Sequence, residues 1–203
     1  MPNIIDNLSL VYQKIDQFAK KAGRNPCDIT LLAVSKGQPA SAIRQAYALG
    51  LRDFGENYLQ EALDKQQQLA DLADIRWHFI GSIQSNKTRK VAEHFDWVHS
   101  IDRIKAAERL NAYRPEKQPP LNICLQVNID GEQNKSGIST HQVKSLAQAM
   151  TELPNLKLRG LMAIPKTRQT VSEQQTPFAT LAKLLSNIQS SSLQLSTLDT
   201  HSM

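Results

Sequence analysis

The sequence predicts an α/β protein built on a parallel sheet. From residue 29 onward, apolar runs of strand length alternate with amphipathic segments of helical length. Those runs end in small clusters of polar residues and glycine, the pattern expected where strands pass into ligand-bearing loops. The chain has 203 residues, of which 40% are hydrophobic and 21% charged. That size and composition fit a single globular domain spanning 1–203, with a core large enough to need no disulfide or metal.

The elements follow in order. Ile4, Leu8, Val11, Ile15, Phe18, Ala19 and Ala22 recur at helical spacing, and Gly23 ends that helix. Residues 29–35 form a short apolar run read as the first strand. A helix starts near Pro39 and stops at Gly50. Residues 51–55 read as a second strand and 58–72 as a helix. Residues 76–80 read as a strand, 86–94 as a short helix and 95–100 as a strand. Asp102 is placed to cap a helix through Asn111. Residues 121–129 are the clearest strand, with Ile123, Leu125, Val127 and Ile129 alternating against Asn122, Cys124, Gln126 and Asn128. A helix over 140–152, a strand over 156–164, a helix over 177–189 and a seventh strand over 193–198 complete the reading. Seven strands in one domain suit either a doubly wound sheet or a (β/α) barrel.

Several function classes are excluded early. No apolar stretch approaches the length of a membrane span, and the N-terminus lacks the pattern of a signal peptide. Cys27 and Cys124 stand far apart, outside any CxxC or Cys/His cluster, and read as reduced thiols of a cytoplasmic protein. The net charge of +5 favours an anionic ligand. Its basic residues are scattered and aromatic residues make up only 5%, which disfavours nucleic acid. No Gly-rich phosphate loop or GxGxxG is present.

Chemistry is therefore sought at the strand ends. Lys36 follows the first strand directly. Partial desolvation there would make its amine available as a nucleophile toward a carbonyl compound; a solvated lysine at a strand end is the alternative. Glu56 and Asn57 are placed to cap the helix that follows them. His78, between Trp77 and Phe79, reads as a structural, hydrogen-bonded histidine, because no ligand partner stands near it in sequence. Gln84 to Lys87 forms either a capping segment or an anion contact. Asn134 to Gly137 reads as a loop, and Cys124 as a small apolar core residue.

Five segments then carry a resemblance: Leu31-Leu32-Ala33-Val34-Ser35-Lys36; Phe54-Gly55-Glu56-Asn57-Tyr58; Trp77-His78-Phe79-Ile80-Gly81 with Gln84-Ser85-Asn86-Lys87; Asn134-Lys135-Ser136-Gly137; and Arg159-Gly160-Leu161-Met162-Ala163-Ile164-Pro165. In order and over essentially the whole chain, they resemble the pyridoxal phosphate homeostasis protein family. The resemblance implies a single (β/α) TIM-type barrel like the N-terminal domain of alanine racemase, without that enzyme's β-rich second domain. It implies pyridoxal 5′-phosphate (PLP) held as an aldimine on Lys36, with Asn57 beside the cofactor, Met162 near its ring and Ser202 lining it. It implies control of free PLP without established turnover, in a cytoplasmic protein. A monomer is the expected state, although the sequence itself does not give the oligomeric state.

Some positions depart from the family pattern. Gly37 stands where Thr is common, Ser82 where Pro is common and His201 where Leu is usual. The sequence stops at Met203, where the family continues into a last helix, an eighth strand and a Gly-Thr phosphate loop. The expectation is a barrel incomplete at its C-terminus, lacking the last helix and eighth strand. Its first and seventh strands would be open edges, making it less stable and prone to aggregate or to pair with another chain. Loss of two or three charge-assisted phosphate contacts would weaken PLP binding by on the order of 10²–10⁴-fold. A PLP-dependent racemase-like enzyme is one alternative function, opposed by the absence of a second domain to supply the second base. A scaffold that no longer binds PLP is the other.

Overall fold

The computed structural model describes residues 4–132 and 134–190. The strands are β1 (Ala33–Val34), β2 (Asp53–Glu56), β3 (Arg76–Phe79), β4 (Trp97–Ile101), β5 (Leu121–Gln126) and β6 (Leu156–Met162). The helices are α1 (Ile4–Lys21), α2 (Ala40–Ala48), α3 (Leu59–Gln68), α4 (Thr88–His94), α5 (Ile104–Tyr113), α6 (Val143–Met150) and α7 (Val171–Ser190). The six strands form one sheet in chain order, and every pairing is parallel. The α/β class and the helix–strand alternation are thus as expected. The expected seventh strand lies outside the described residues.

Each strand separates helix-facing from opposite-facing residues. Phe79, Val98 and Ile123 are register partners in β3, β4 and β5, so they share one face. All three are buried. Phe79 meets Phe95 edge-on at 5.2 Å, and each such buried side chain contributes about 1.5–3 kcal/mol. Alanines fill the helix side, among them Ala62, Ala92, Ala107 and Ala147. The opposite face is more polar: Gly55, His78, Trp97 and Asn122 are register partners across β2 to β5.

The differences from the sequence reading have local causes. β1 is two residues long, and among the described residues it pairs with β2 alone, through Ala33–Phe54 and Val34–Gly55. α1 forms where its periodicity places it, but Val11 and Phe18 of its apolar face stay exposed and only Ala19 is buried. Asp102 does not cap α5. Arg103 holds that position, and the Asp102 carboxylate instead accepts from the Arg103 guanidinium. α7 begins six residues before Pro177. A reciprocal cap starts it, with the Thr170 hydroxyl accepting from Glu173 N–H and the Glu173 carboxylate accepting from Thr170 N–H. Pro177 is carried inside the helix.

Candidate functional site

A parallel sheet brings all its strand C-termini to one edge, and three of the four expected site residues lie along it. Of these, Asn57 lines a cavity there, and Lys36 and Met162 are not among its lining residues. Lys36 lies just beyond β1, Asn57 just beyond β2, and Met162 ends β6. Ser202 lies outside the described residues. Lys36 is exposed among the described residues. Among the described residues its side chain makes no hydrogen bond or ion pair. Asn57 is half-buried and Met162 is buried.

The backbone around Lys36 is tightly held. Ser35 N–H donates to Gly55 O at 2.9 Å, and Gln38 N–H donates to Ser35 O at 3.0 Å, closing a turn that contains Lys36. Gly37 takes φ +71 in that turn, a conformation suited to glycine. Beneath it lies a buried charge cluster. The Lys65 ammonium donates to Ser35 O, Glu56 Oε1 and Glu61 Oε1, each at 2.7 Å, so its donors are all engaged. The Ser35 hydroxyl donates to Glu56 Oε1 at 2.6 Å, and Gly37 N–H donates to Glu61 Oε1 at 2.6 Å. The Lys65 ammonium, aided by Gly37 N–H, holds the Glu61 carboxyl below its ordinary range against the effect of burial. Glu56 is therefore not a cap. It is fully buried in an ion pair, and α3 starts at Tyr58 without a side-chain cap.

Asn57 is placed by Gly81. A Cβ at residue 81 would lie 2.1 Å from Asn57 O, so only glycine permits this approach of the β2 and β3 ends. Asn57, Ile80, Ser82, Gln126, Asn128 and Lys135 are among the residues lining a cavity of about 320 Å³. β2 and β5 are separated by two strands in the sheet, yet their ends line this one cavity, so the sheet curves around it. Gly137 shapes the loop at its rim, because at φ +118 a Cβ there would lie 2.7 Å from Asn128 N. Lys87 stands at the N-cap of α4, which has no side-chain cap, so Gln84 to Lys87 does not cap that helix through a side chain.

Sequence reading correctly expects His78 to be hydrogen-bonded but misses its partners. His78 Nε2 lies 2.9 Å from Asp53 Oδ1, and its Nδ1 lies 2.8 Å from His99 Nε2. Trp97 stacks on both imidazoles, and the Arg159 guanidinium lies 5.6 Å from the Trp97 ring centroid. Burial pushes Asp53 up, but the hydrogen bonds from His78 and Arg76 outweigh it and hold the carboxyl at about 2. Cys124 is buried as expected, and burial pushes its thiol up to about 12. Among the described residues, no group of three or more His, Cys, Asp and Glu could hold a metal ion, and no helix is long and apolar enough to cross a membrane.

The chain is similar to known proteins over most of its length. The family model of the alanine racemase N-terminal domain matches residues 7–200. A pyridoxal phosphate homeostasis protein of Pseudomonas aeruginosa is 57% identical over 185 residues, which cover 91% of this chain and 80% of that protein. Among solved structures, PipY of Synechococcus elongatus with PLP bound superposes with a TM-score of 0.73 at 39% identity, covering 86% of this chain and 81% of PipY. The alanine racemase of Corynebacterium glutamicum superposes with a TM-score of 0.64 at 15% identity, covering 93% of this chain and 52% of the racemase. That last likeness concerns the fold alone.

Proposed function

The chain belongs to the alanine racemase N-terminal domain family and, within it, to the pyridoxal phosphate homeostasis proteins; from that premise we propose that it carries PLP on Lys36 and serves intracellular PLP homeostasis. The observation that carries this reading is the state of Lys36. It is a primary amine, exposed at the carboxyl edge of the sheet, on a backbone turn held from both sides. Toward that group the chain offers Lys36 and, along the same sheet edge, Asn57 at a cavity whose described lining does not include Lys36. A cavity of about 320 Å³ at the same edge is within the range that small ligands occupy. Asn57 brings an amide to it, and the net charge of +5 favours an anionic ligand.

When bound, PLP supplies an aldehyde that condenses with a primary amine with loss of one water, and the reverse reaction releases it. The chain's part is to present and to position. Lys36 offers its side-chain amine at the carboxyl edge of the sheet. Gly81 lets Asn57 sit beside the cavity. Met162 is buried at the end of β6, at the same edge. Relatives named as pyridoxal phosphate homeostasis proteins support the homeostasis role, and we read that role as holding and releasing the cofactor without turnover. The same reading takes the protein as a cytoplasmic monomer that binds neither nucleic acid nor membrane.

The test is reductive trapping. After addition of PLP and reduction with borohydride, intact-mass measurement and peptide mapping are expected to find one adduct, on Lys36. Lys36→Ala is expected to abolish it. An unlabelled wild-type protein, or a label confined to other lysines, would refute the assignment.

A further inference from the structure

Lys65 stands out once the role of Lys36 is set. A lysine side chain only 6% exposed is rare, because burial of an ammonium is costly unless every donor is satisfied. Here all three donors are used, and none reaches the Lys36 side chain. One goes to the Ser35 carbonyl, on the N-terminal side of Lys36. Another goes to Glu61 Oε1, which also receives the Gly37 N–H on the C-terminal side. The third goes to Glu56 Oε1, which also holds the Ser35 hydroxyl. One ammonium and two carboxylates thus grip both neighbours of the reactive lysine and leave its own side chain unengaged.

We propose that Lys65, acting through Glu56 and Glu61, is the positioning group of Lys36, fixing the backbone on either side of it so that its amine is presented to the incoming aldehyde. This rests on the reading of Lys36 given above. A cluster serving stability alone would have no need to meet Ser35 and Gly37, and a hydrophobic replacement of a buried ion pair commonly folds as well or better. The unusual geometry of the turn makes the grip useful. Gly37 at φ +71 has wide conformational freedom, and its N–H bond to Glu61 removes much of it. Preorganisation of this kind accelerates a reaction by limiting misplacement of the attacking atom.

Glu61 provides the cleanest test, since its side chain is 30% exposed and its removal leaves the Lys65–Glu56 pair intact. Glu61→Ala removes the acceptor for Gly37 N–H, whereas Glu61→Gln keeps a carbonyl oxygen there. The rate of PLP attachment to Lys36 would be followed by visible absorbance. Circular dichroism of the bound chromophore would report its geometry, and thermal unfolding would report stability. Glu61→Ala removes the acceptor of both Gly37 N–H and the Lys65 ammonium. It is expected to slow attachment about tenfold and alter the dichroism, with a modest fall in the unfolding midpoint from the donor left unpaired on Lys65. Glu61→Gln is expected to recover the rate to within about threefold of wild type. The pair Lys65→Met with Glu56→Gln, which leaves no unpaired buried charge on Glu56, tests Lys65 itself and is expected to slow attachment at least as much. Attachment at the wild-type rate with unchanged dichroism in Glu61→Ala would overturn the proposal and leave Lys36 as the cofactor lysine. So would a slowing matched by a fall in the unfolding midpoint and not rescued by Gln. A wild-type protein unlabelled at Lys36 would overturn the function first and this proposal with it.

Discussion

Asp53 shows how one buried carboxylate ties three strands together. It sits on β2 and accepts from the Arg76 guanidinium of β3 at 2.7 and 2.5 Å, while His78 of β3 links it onward to His99 of β4. Its carboxyl is held at about 2 against an ordinary 3.8. A depressed folded-state value stabilises the protein above the unfolded value and loses that contribution as pH falls through the folded one. The Asp53 contribution is therefore nearly full above about pH 4, declines below it and is lost as pH falls through about 2. The shift corresponds to on the order of 2 kcal/mol. Asp53→Asn keeps the shape and an acceptor for His78 but forgoes the charge. At pH 7 it is expected to lower the urea-derived stability by about that amount, with the deficit against wild type shrinking as pH falls from 4 to 2. A constant deficit over that range would show that the loss is one of packing. None of this was legible in the sequence, where His78 has no nearby partner. Only the parallel register, which sets Asp53 opposite Arg76 and His78 opposite Trp97, brings the cluster together.

At the level of elements, the periodic segments were legible and their ends were not. The strand over 121–129 alternates cleanly because one face packs on helices, and it forms as β5 with Val127 adding a bridge to Ile138. α7 was read as starting at Pro177 because proline suits a first turn, but the cap at Thr170 and Glu173 outweighs one missing donor inside the helix. Lys65 offered a fainter signal. It falls on the same helical stripe as Ala62 and Leu69, a charged residue at an apolar position that calls for a buried partner. Glu56 was misassigned because a polar residue before a helix looks like a cap, and only the packing of α3 against β2 shows otherwise. The junction of β2 and β3 gives the prediction at this scale. Gly81→Ala would place a Cβ 2.1 Å from Asn57 O, and backbone cannot give way as a flexible side chain can. The variant is expected to lose about 1–3 kcal/mol by urea unfolding and to bind PLP more weakly, because Asn57 moves. Wild-type stability and binding together would mean that the two strand ends are not held as closely as described.

At the level of the whole molecule, the proposed site belongs to no single element. Lys36 follows β1, Asn57 follows β2, Ser82 follows β3, Gln126 and Asn128 come from the end of β5, and Met162 ends β6. The cofactor reading therefore makes the ligand a link among strands distant in sequence, and binding should be felt by the fold as a unit. A ligand that binds only the folded state adds RT ln(1 + [L]/Kd), about 2.7 kcal/mol at a hundred times Kd. For a domain of this size each kcal/mol moves the unfolding midpoint by roughly 2–4 °C. Saturating PLP is thus expected to raise the midpoint by about 5–10 °C. Lys36→Ala should lose most of the rise, because the covalent bond is gone while the cavity remains. Pyridoxal without its phosphate should give a smaller shift, in proportion to the charge-assisted contacts the phosphate makes. A midpoint indifferent to PLP in a protein that still labels at Lys36 would mean that the lysine reacts as an exposed amine. The strand ends would then not close around the cofactor, and the presenting turn would be the whole of the site.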